Sequence, residues 1–317
     1  MVSGKSRQIF SAMAGLGVIC AQTPASATDY CAPSEATDPQ PFHINGSTPY
    51  IYKTIGDADL RLHVFRSASY KPGDKSPAVV FFYGGGFVFG DIRRFQTQAT
   101  HLALRGLVTV LVDYRVKCRH GSTITDSVSD GKSAIRWIRS RADELGVDPE
   151  RIAVVGSSAG ALVAAAAALV TEFDDPGDEK ADARPNALIL YNPGLDTGSP
   201  AAIERLTSIV GSEGAVRARD VSPIDHLDRG LLPPTIIFQG DADTLVSLQT
   251  AKDFCERARA LDAKCDLKIY PGAPHGFTEI WLGLEDPVAF PRTEFWAEDT
   301  SRRTDAFLTK LGWLSKK

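Results

Sequence analysis

The sequence predicts one α/β domain built on an eight-stranded, mostly parallel sheet with helices on both faces. Three observations carry that prediction. Six apolar runs of strand length recur at 78–82, 107–112, 152–155, 187–191, 235–238 and 267–270. Helical patterns separate most of them, as crossovers between parallel strands require. Two further segments, 50–55 and 60–65, alternate across a Gly-Asp turn and read as an antiparallel pair. With 317 residues and 43% hydrophobic content, the chain is long enough for one large core. Domains of this class commonly reach that size undivided.

The elements can be justified in chain order. Lys5 and Arg7 precede an apolar stretch at 9–21, and Ala25-Ser26-Ala27 supplies a small-x-small cleavage pattern. Residues 1–27 are therefore expected to be a secretory signal peptide, and 28–317 a single domain exported to the periplasm or medium. The apolar stretch is too short and too rich in Gly and Ala for a membrane span. Cys20 suggests a lipoprotein site, but Ile19 before it is bulky for one. Cleavage after Ala27 removes two positive charges and no acids. That takes 35 Lys+Arg against 39 Asp+Glu to 33 against 39, from −4 to −6.

Export also changes how the cysteines read. Cys31, Cys118, Cys255 and Cys265 remain, an even number in an oxidising compartment. Cys255 and Cys265 flank the end of one helical pattern, so a local bridge is expected there, leaving Cys31 to pair with Cys118. The alternative is four free thiols. Residues 31–49 form an arm without a clear period. His63 is out of phase with Leu62 and Val64 and is expected at the surface of its strand. A helix over 125–141 carries Val128, Ile135 and Ile138 on one stripe and ends before Gly146. The acidic run 174–179 reads as a solvated loop rather than a calcium site. An amphipathic segment at 293–313 closes the domain.

Composition narrows the function classes. A formal charge of −4 gives no basic excess for nucleic acid or an anionic membrane surface. There is no Gly-x-Gly-x-x-Gly, no Walker-type loop, and no pair of Cys or His at metal spacing, so neither cofactor nor metal is expected.

The chemistry gathers around Val154-Val155-Gly156-Ser157-Ser158-Ala159-Gly160-Ala161. A buried strand, Gly-x-Ser-x-Gly and then a helix of small side chains is the context a nucleophile elbow needs. A serine on so sharp a turn has a strained backbone, and its neighbours two residues away must lack bulk. The turn also aims the first N–H groups of the helix at the reaction centre. Phe82-Tyr83-Gly84-Gly85-Gly86-Phe87 follows the third strand, where glycines let N–H groups turn inward as a nest. Gly240-Asp241-Ala242-Asp243 follows the seventh strand, and His275-Gly276-Phe277 the eighth. Each of these turns leaves the C-terminal end of a parallel strand, where open α/β sheets place ligands. Nucleophile, acid and base thus occur in the order Ser158, Asp243, His275.

Together these motifs resemble the α/β-hydrolase fold over nearly all of the chain after residue 27. Asp113-Tyr114-Arg115 and the helical Asp130, Ala134 and Trp137 make it similar to the hormone-sensitive-lipase-like group, which includes secreted bacterial acetyl esterases and acetylxylan esterases. The resemblance implies Ser158 as nucleophile, His275 as base, Asp243 as acid, and the N–H groups of Gly85, Gly86 and Ala159 as oxyanion donors. Asp241 and Asp196 compete with Asp243 for the acid role. Tyr83 stands where the family usually has His, which leaves the geometry of the glycine loop open.

The implied reaction is hydrolysis of short-chain acyl esters, acetyl foremost, on a small-molecule or carbohydrate substrate through an acyl-enzyme. Tyr83, Phe87 and Trp281 are expected to line the substrate pocket, although Trp281 reads equally well as core. The insertion at 194–230 is too small for a separate lid domain. Rival readings are a secreted serine peptidase of the prolyl-oligopeptidase kind, a thioesterase or lactonase, and a non-catalytic binding protein on the same fold. The oligomeric state is not legible.

Overall fold

The computed structural model describes residues 30–31, 39–278 and 293–315. The expected signal segment 1–27 and Trp281 lie outside the described residues. Eight strands form one sheet in the order β1-β2-β4-β3-β5-β6-β7-β8. They are β1 Ser47–Ile55, β2 Ala58–Phe65, β3 Ser76–Phe82, β4 Val108–Val112, β5 Val147–Ser157, β6 Ala187–Tyr191, β7 Thr235–Gly240 and β8 Cys265–Tyr270. The pairs β1–β2 and β2–β4 are antiparallel, and all other neighbours are parallel. β4 and β6 are buried at every position, as strands covered on both faces must be.

The helices are α1 Gln96–Leu104, α2 Lys117–His120, α3 Ile124–Ser140, α4 Ala142–Leu145, α5 Ala159–Leu169, α6 Pro200–Ala215, α7 Leu248–Ala260 and α8 Thr293–Lys310. α3 starts on a capping box in which the Thr123 hydroxyl and the Asp126 carboxylate satisfy each other's N–H groups. It stops at Arg141, and the single turn α4 then ends on Gly146, whose φ of 73° suits glycine. α5 is buried along its whole length. Its alanines let the helix axis lie close to the sheet, and Gly131 of α3 admits Val163, since a Cβ there would stand 2.3 Å from that side chain. Among the described residues, no helix is long and apolar enough to cross a membrane.

Register is what builds the working edge. Phe82 pairs with Gly156, Ser157 with Tyr191, Tyr191 with Phe238, and Gly240 with Tyr270. The C-terminal ends of β3, β5, β6, β7 and β8 are therefore level, and their loops open onto one edge.

One expectation changes. His63 is fully buried, because β2 is an interior strand between β1 and β4. Its Nδ1 lies 3.0 Å from Ser47 Oγ, and burial pushes its pKa down. The acidic run at 174–179 is a largely exposed loop, as expected, and ion pairs also tie it to α3 and its C-cap. Asp174 pairs with Lys132 and Arg136, Asp178 with Arg136, Glu179 with Arg141, and Asp175 with Lys53 on β1. Those cations are distant in sequence, so only the fold brings them to the loop.

Both expected disulfides are present, Cys31–Cys118 across 87 residues and Cys255–Cys265 across 10. The second joins the middle of α7 to the start of β8. The chain-entropy relation gives about 4–5 kcal/mol for the long loop and about 2–3 kcal/mol for the short one. Alkylation in denaturant without reductant should label none of the four cysteines. Replacing Cys31 and Cys118 together by Ser should lower the urea midpoint more than the same change at Cys255 and Cys265. Four reactive thiols, or the reverse order, would contradict this.

Candidate active site

Ser158 sits between β5 and α5 with φ 52° and ψ −115°, a conformation that non-glycine residues rarely adopt. Three local features hold it there. Its N–H donates to Tyr191 O at 2.9 Å. A Cβ on Gly156 would stand 2.3 Å from Gly160 O, and one on Gly160 would stand 2.2 Å from Phe82 O and 2.3 Å from Tyr83 O. The two glycines are thus steric necessities, because the turn is pressed against both its own helix and β3.

His275 Nε2 lies 2.9 Å from Ser158 Oγ, and His275 Nδ1 lies 2.8 Å from Asp243 Oδ2. A carboxylate only accepts, so Nδ1 carries the proton and Nε2 is left to accept from the serine. The Asp243 side chain is fully buried. Its Oδ1 accepts the N–H groups of Leu245 at 2.9 Å and Val246 at 2.8 Å, while Gln239 Nε2 donates to Oδ2 at 2.9 Å. Burial alone would raise the Asp243 pKa. The hydrogen bond and charge of His275, with the two N–H groups, outweigh burial and hold it below the usual carboxylate range.

The competing carboxylates are occupied elsewhere. Asp241 Oδ1 accepts from Gly272 N at 2.7 Å. Asp196 Oδ1 accepts from Gly198 N at 3.0 Å and Ser199 N at 2.8 Å.

The glycine loop after β3 lies beside the serine. Gly85 has φ 140° and Gly86 φ 63°, and a Cβ on Gly85 would stand 1.9 Å from Phe89 O. No backbone acceptor among the described residues takes the N–H of Gly86 or Ala159. Tyr83 and Phe87 are 1% and 4% exposed, so both rings belong to the core, which changes the pocket-lining expectation for them. The Tyr83 hydroxyl donates to Asp113 Oδ1 at 2.6 Å and receives Arg119 Nη2 at 2.7 Å, a supporting role behind the loop. Arg115 forks onto Asp130 at 2.7 and 2.9 Å, which ties the segment after β4 to α3.

The insertion at 194–230 contributes α6, which kinks at Gly211 (φ 78°). Arg205 Nη1 donates to Thr244 O at 3.2 Å, next to Asp243. One turn further along, Ile209 reaches within 3.4 Å of the position a Cβ on Gly86 would take. α6 therefore bridges the acid loop and the glycine loop as a roof. Among the described residues, no group of three or more His, Cys, Asp or Glu side chains is placed to hold a metal ion.

Sequence reading missed Asn192. It is fully buried just after β6 with φ 37°, and its Nδ2 lies 3.4 Å from Ser157 Oγ and 3.5 Å from His275 Nε2. An asparagine beside a proline at a strand end was a visible signal, since Asn tolerates positive φ better than most residues. Gln239 was also missed: it reads as the first residue of the turn after the seventh strand, whereas β7 runs on through it to Gly240.

A mostly parallel sheet with a serine on a strained strand-to-helix turn, an imidazole and a buried carboxylate defines the class of α/β hydrolases. A family model described as alpha/beta hydrolase fold matches residues 79–279, and the chain belongs to that family. It is 31% identical to Esterase LipC of Mycobacterium tuberculosis (strain ATCC 25618 / H37Rv) over 234 residues, 69% of this chain and 57% of that protein. It is 28% identical to the isoprenylcysteine alpha-carbonyl methylesterase ICME of Arabidopsis thaliana, over 71% of this chain and 55% of that one. The chain thus spans little more than half the length of these curated relatives. Among solved structures it is similar to the apo form of esterase 2 of Thermogutta terrifontis. The identity is 37% and the TM-score 0.76, covering 87% of this chain and 98% of that one.

The elbow generates a direct test. Gly160→Ala forces a methyl group against two backbone carbonyls and should lower stability by about 1–3 kcal/mol or more. A urea midpoint equal to the parent's would show that the turn has room to spare.

Proposed function

We propose that the protein is a secreted serine carboxylesterase acting on short-chain acyl esters. The single observation that carries the reading is the continuous run from Ser158 Oγ to His275 Nε2 at 2.9 Å and from His275 Nδ1 to Asp243 Oδ2 at 2.8 Å, on a strained elbow. Serine is a weak nucleophile until a neutral imidazole takes its proton. His275 accepts that proton as Ser158 attacks the ester carbonyl, and Asp243 keeps the imidazole in the right tautomer and stabilises its cation. The N–H groups of Gly85, Gly86 and Ala159 hold the negative oxygen of the tetrahedral intermediate. His275 then protonates the departing alcohol. Water, deprotonated by the same histidine, releases the acid from the acyl-enzyme.

Export rests on the pattern at residues 1–27 and accords with two disulfides, which persist in oxidising compartments. The short-acyl preference rests on the roof. α6 sets Ile209 over Gly86, so the space beside the oxyanion loop is narrow. Solved forms of the Thermogutta terrifontis esterase 2 carry propionate and butyrate, which supports small acyl groups here. An acetylated carbohydrate fits the same reading if the alcohol side is open.

Replacing Ser158 by Ala should leave the fold intact and lower kcat on p-nitrophenyl acetate on the order of a millionfold, and Asp243→Asn by about 10⁴-fold. A Ser158→Ala protein that retains activity while Ser157→Ala loses it would refute the assignment. Esterase 2 of Thermogutta terrifontis has been solved phosphorylated by paraoxon, and the same reagent should add to Ser158 here, read by peptide mass. Across acyl lengths, kcat/KM should be highest from acetyl to butyryl and fall in graded steps, since each methylene is worth only about 1–3 kcal/mol. A steady rise to the decanoyl ester would show a long pocket and sink the short-acyl reading.

A further inference from the structure

The segment after β4 packs against the outer side of the glycine loop, and what it contributes there is unusual. Lys117 N donates to Phe87 O and Cys118 N to Val88 O, both at 2.9 Å. Arg119 Nη1 donates to Gly90 O at 2.9 Å. Three carbonyls of the loop, at 87, 88 and 90, are therefore held by three consecutive residues of one short helix.

Arg119 does more than hold a carbonyl. Its Nη2 donates to the Tyr83 hydroxyl at 2.7 Å and to Asp113 Oδ1 at 3.0 Å, and its side chain is only 5% exposed. Tyr83 donates its own proton to Asp113 at 2.6 Å. Its ring stacks on Tyr114 with centroids 4.4 Å apart, and the Tyr114 hydroxyl donates to Tyr83 O at 2.6 Å. The loop closes over this ring. A Cβ on Gly90 would stand 2.3 Å from Tyr83 Cδ2, and Gly90 takes φ 151° to pass it. Guanidinium, carboxylate and phenol thus form one buried cluster at the two ends of the loop, Tyr83 at its start and Gly90 at its finish. The cluster is anchored from outside as well. Cys118 is bonded to Cys31, and Gln40 of the same N-terminal arm donates to Gly90 O at 2.7 Å while accepting from Ile92 N.

We propose that Arg119 is a positioning residue for the oxyanion loop, acting through Tyr83, Asp113 and Gly90 to fix the N–H groups of Gly85 and Gly86. The inference rests on the serine-hydrolase reading of the site. The physical reason is that a glycine-rich loop has no side chains of its own to define its path. A fork of donors fixed in one plane can tie two distant points of such a loop together, which a lysine's single ammonium does less well. Arg119 touches no reacting atom. Its effect is on where the oxyanion donors stand when charge develops, so it belongs to the transition state and not to ground-state binding.

The test uses the full chain with Arg119→Met, Arg119→Lys and Tyr83→Phe. The last keeps the ring and the Arg119–Asp113 pair and so decides the matter if Arg119→Met does not fold. Kinetics on p-nitrophenyl acetate are read beside inhibition by a trifluoromethyl ketone, whose tetrahedral adduct carries the oxyanion. A displacement of about 1 Å should lower kcat about a hundredfold in Arg119→Met, and KM should stay within about twofold of the parent. The ketone should weaken by the same factor as kcat/KM, with Arg119→Lys recovering part of both. Tyr83→Phe should show the same pattern to a smaller extent. Folded variants with parental kcat, or a fall in kcat without weaker ketone binding, would overturn the proposal. If the parent hydrolyses no ester, the enzyme reading fails and the clamp is judged separately. Hydrogen exchange at the Val88 and Phe89 amides should then be faster in Tyr83→Phe, and unchanged exchange would refute it.

Discussion

The backbone of Ser158 is the constraint on which the rest depends. A non-glycine residue at φ 52° and ψ −115° costs on the order of 1–3 kcal/mol and persists only where its surroundings over-determine it. Here they do so from several sides. β6 accepts the Ser158 N–H, the β3 carbonyls at Phe82 and Tyr83 press against Gly160, and α5 starts at the next residue, Ala159. Loosening any of these would let the turn relax and carry the hydroxyl away from His275. The strand order β3-β5-β6 is thus the support of the Ser158 turn as well as a feature of topology.

Buried charge is handled differently at the two carboxylates that matter most. Asp243 is surrounded by donors, an imidazole, two backbone N–H groups and an amide, and its pKa lies below the ordinary range despite burial. That keeps it ionised, as a partner for an imidazolium must be. Asp113 has the opposite balance. Burial pushes it upward, and Arg119 and Tyr83 only partly pull it back. Burying such a pair contributes little net stability, because desolvation offsets much of the attraction. Its value lies in geometry, and the same two side chains define the path of the glycine loop.

The roof follows from what the sheet leaves uncovered. α6 has half-buried Leu206 and Ile209 and buried Val210, Gly214 and Ala215, while most of its first three turns face solvent. Two residues one turn apart in its middle reach the flanking loops, Arg205 the loop after β7 and Ile209 the glycine loop. A helix held this way reports directly on the spacing of the two loops that flank Ser158.

Local sequence determined a great deal about this protein. Apolar runs marked six strands, and alternation across a Gly-Asp turn marked β1 and β2, whose pairing leaves one of them at the sheet edge. Gly156, Ser158 and Gly160, set between an apolar strand run and an alanine-rich helix, pointed to the elbow. Cysteine parity and spacing indicated both disulfides. Tertiary structure decided whatever depended on residues distant in the chain. Asp243 is distinguished from Asp241 and Asp196 by which carboxylate the fold sets against His275 Nδ1, a difference of ångströms that spacing does not encode. His63 is buried because β1 and β4 flank its strand, and the acidic loop is pinned because α3 presents its cations there. Arg119, Asn192 and Gln239 read as ordinary residues in their own segments, and Tyr83 stood out only as a departure from the family pattern. Each acquires its place from a hydrogen-bond partner on another element, and only the folded chain brings those partners within reach.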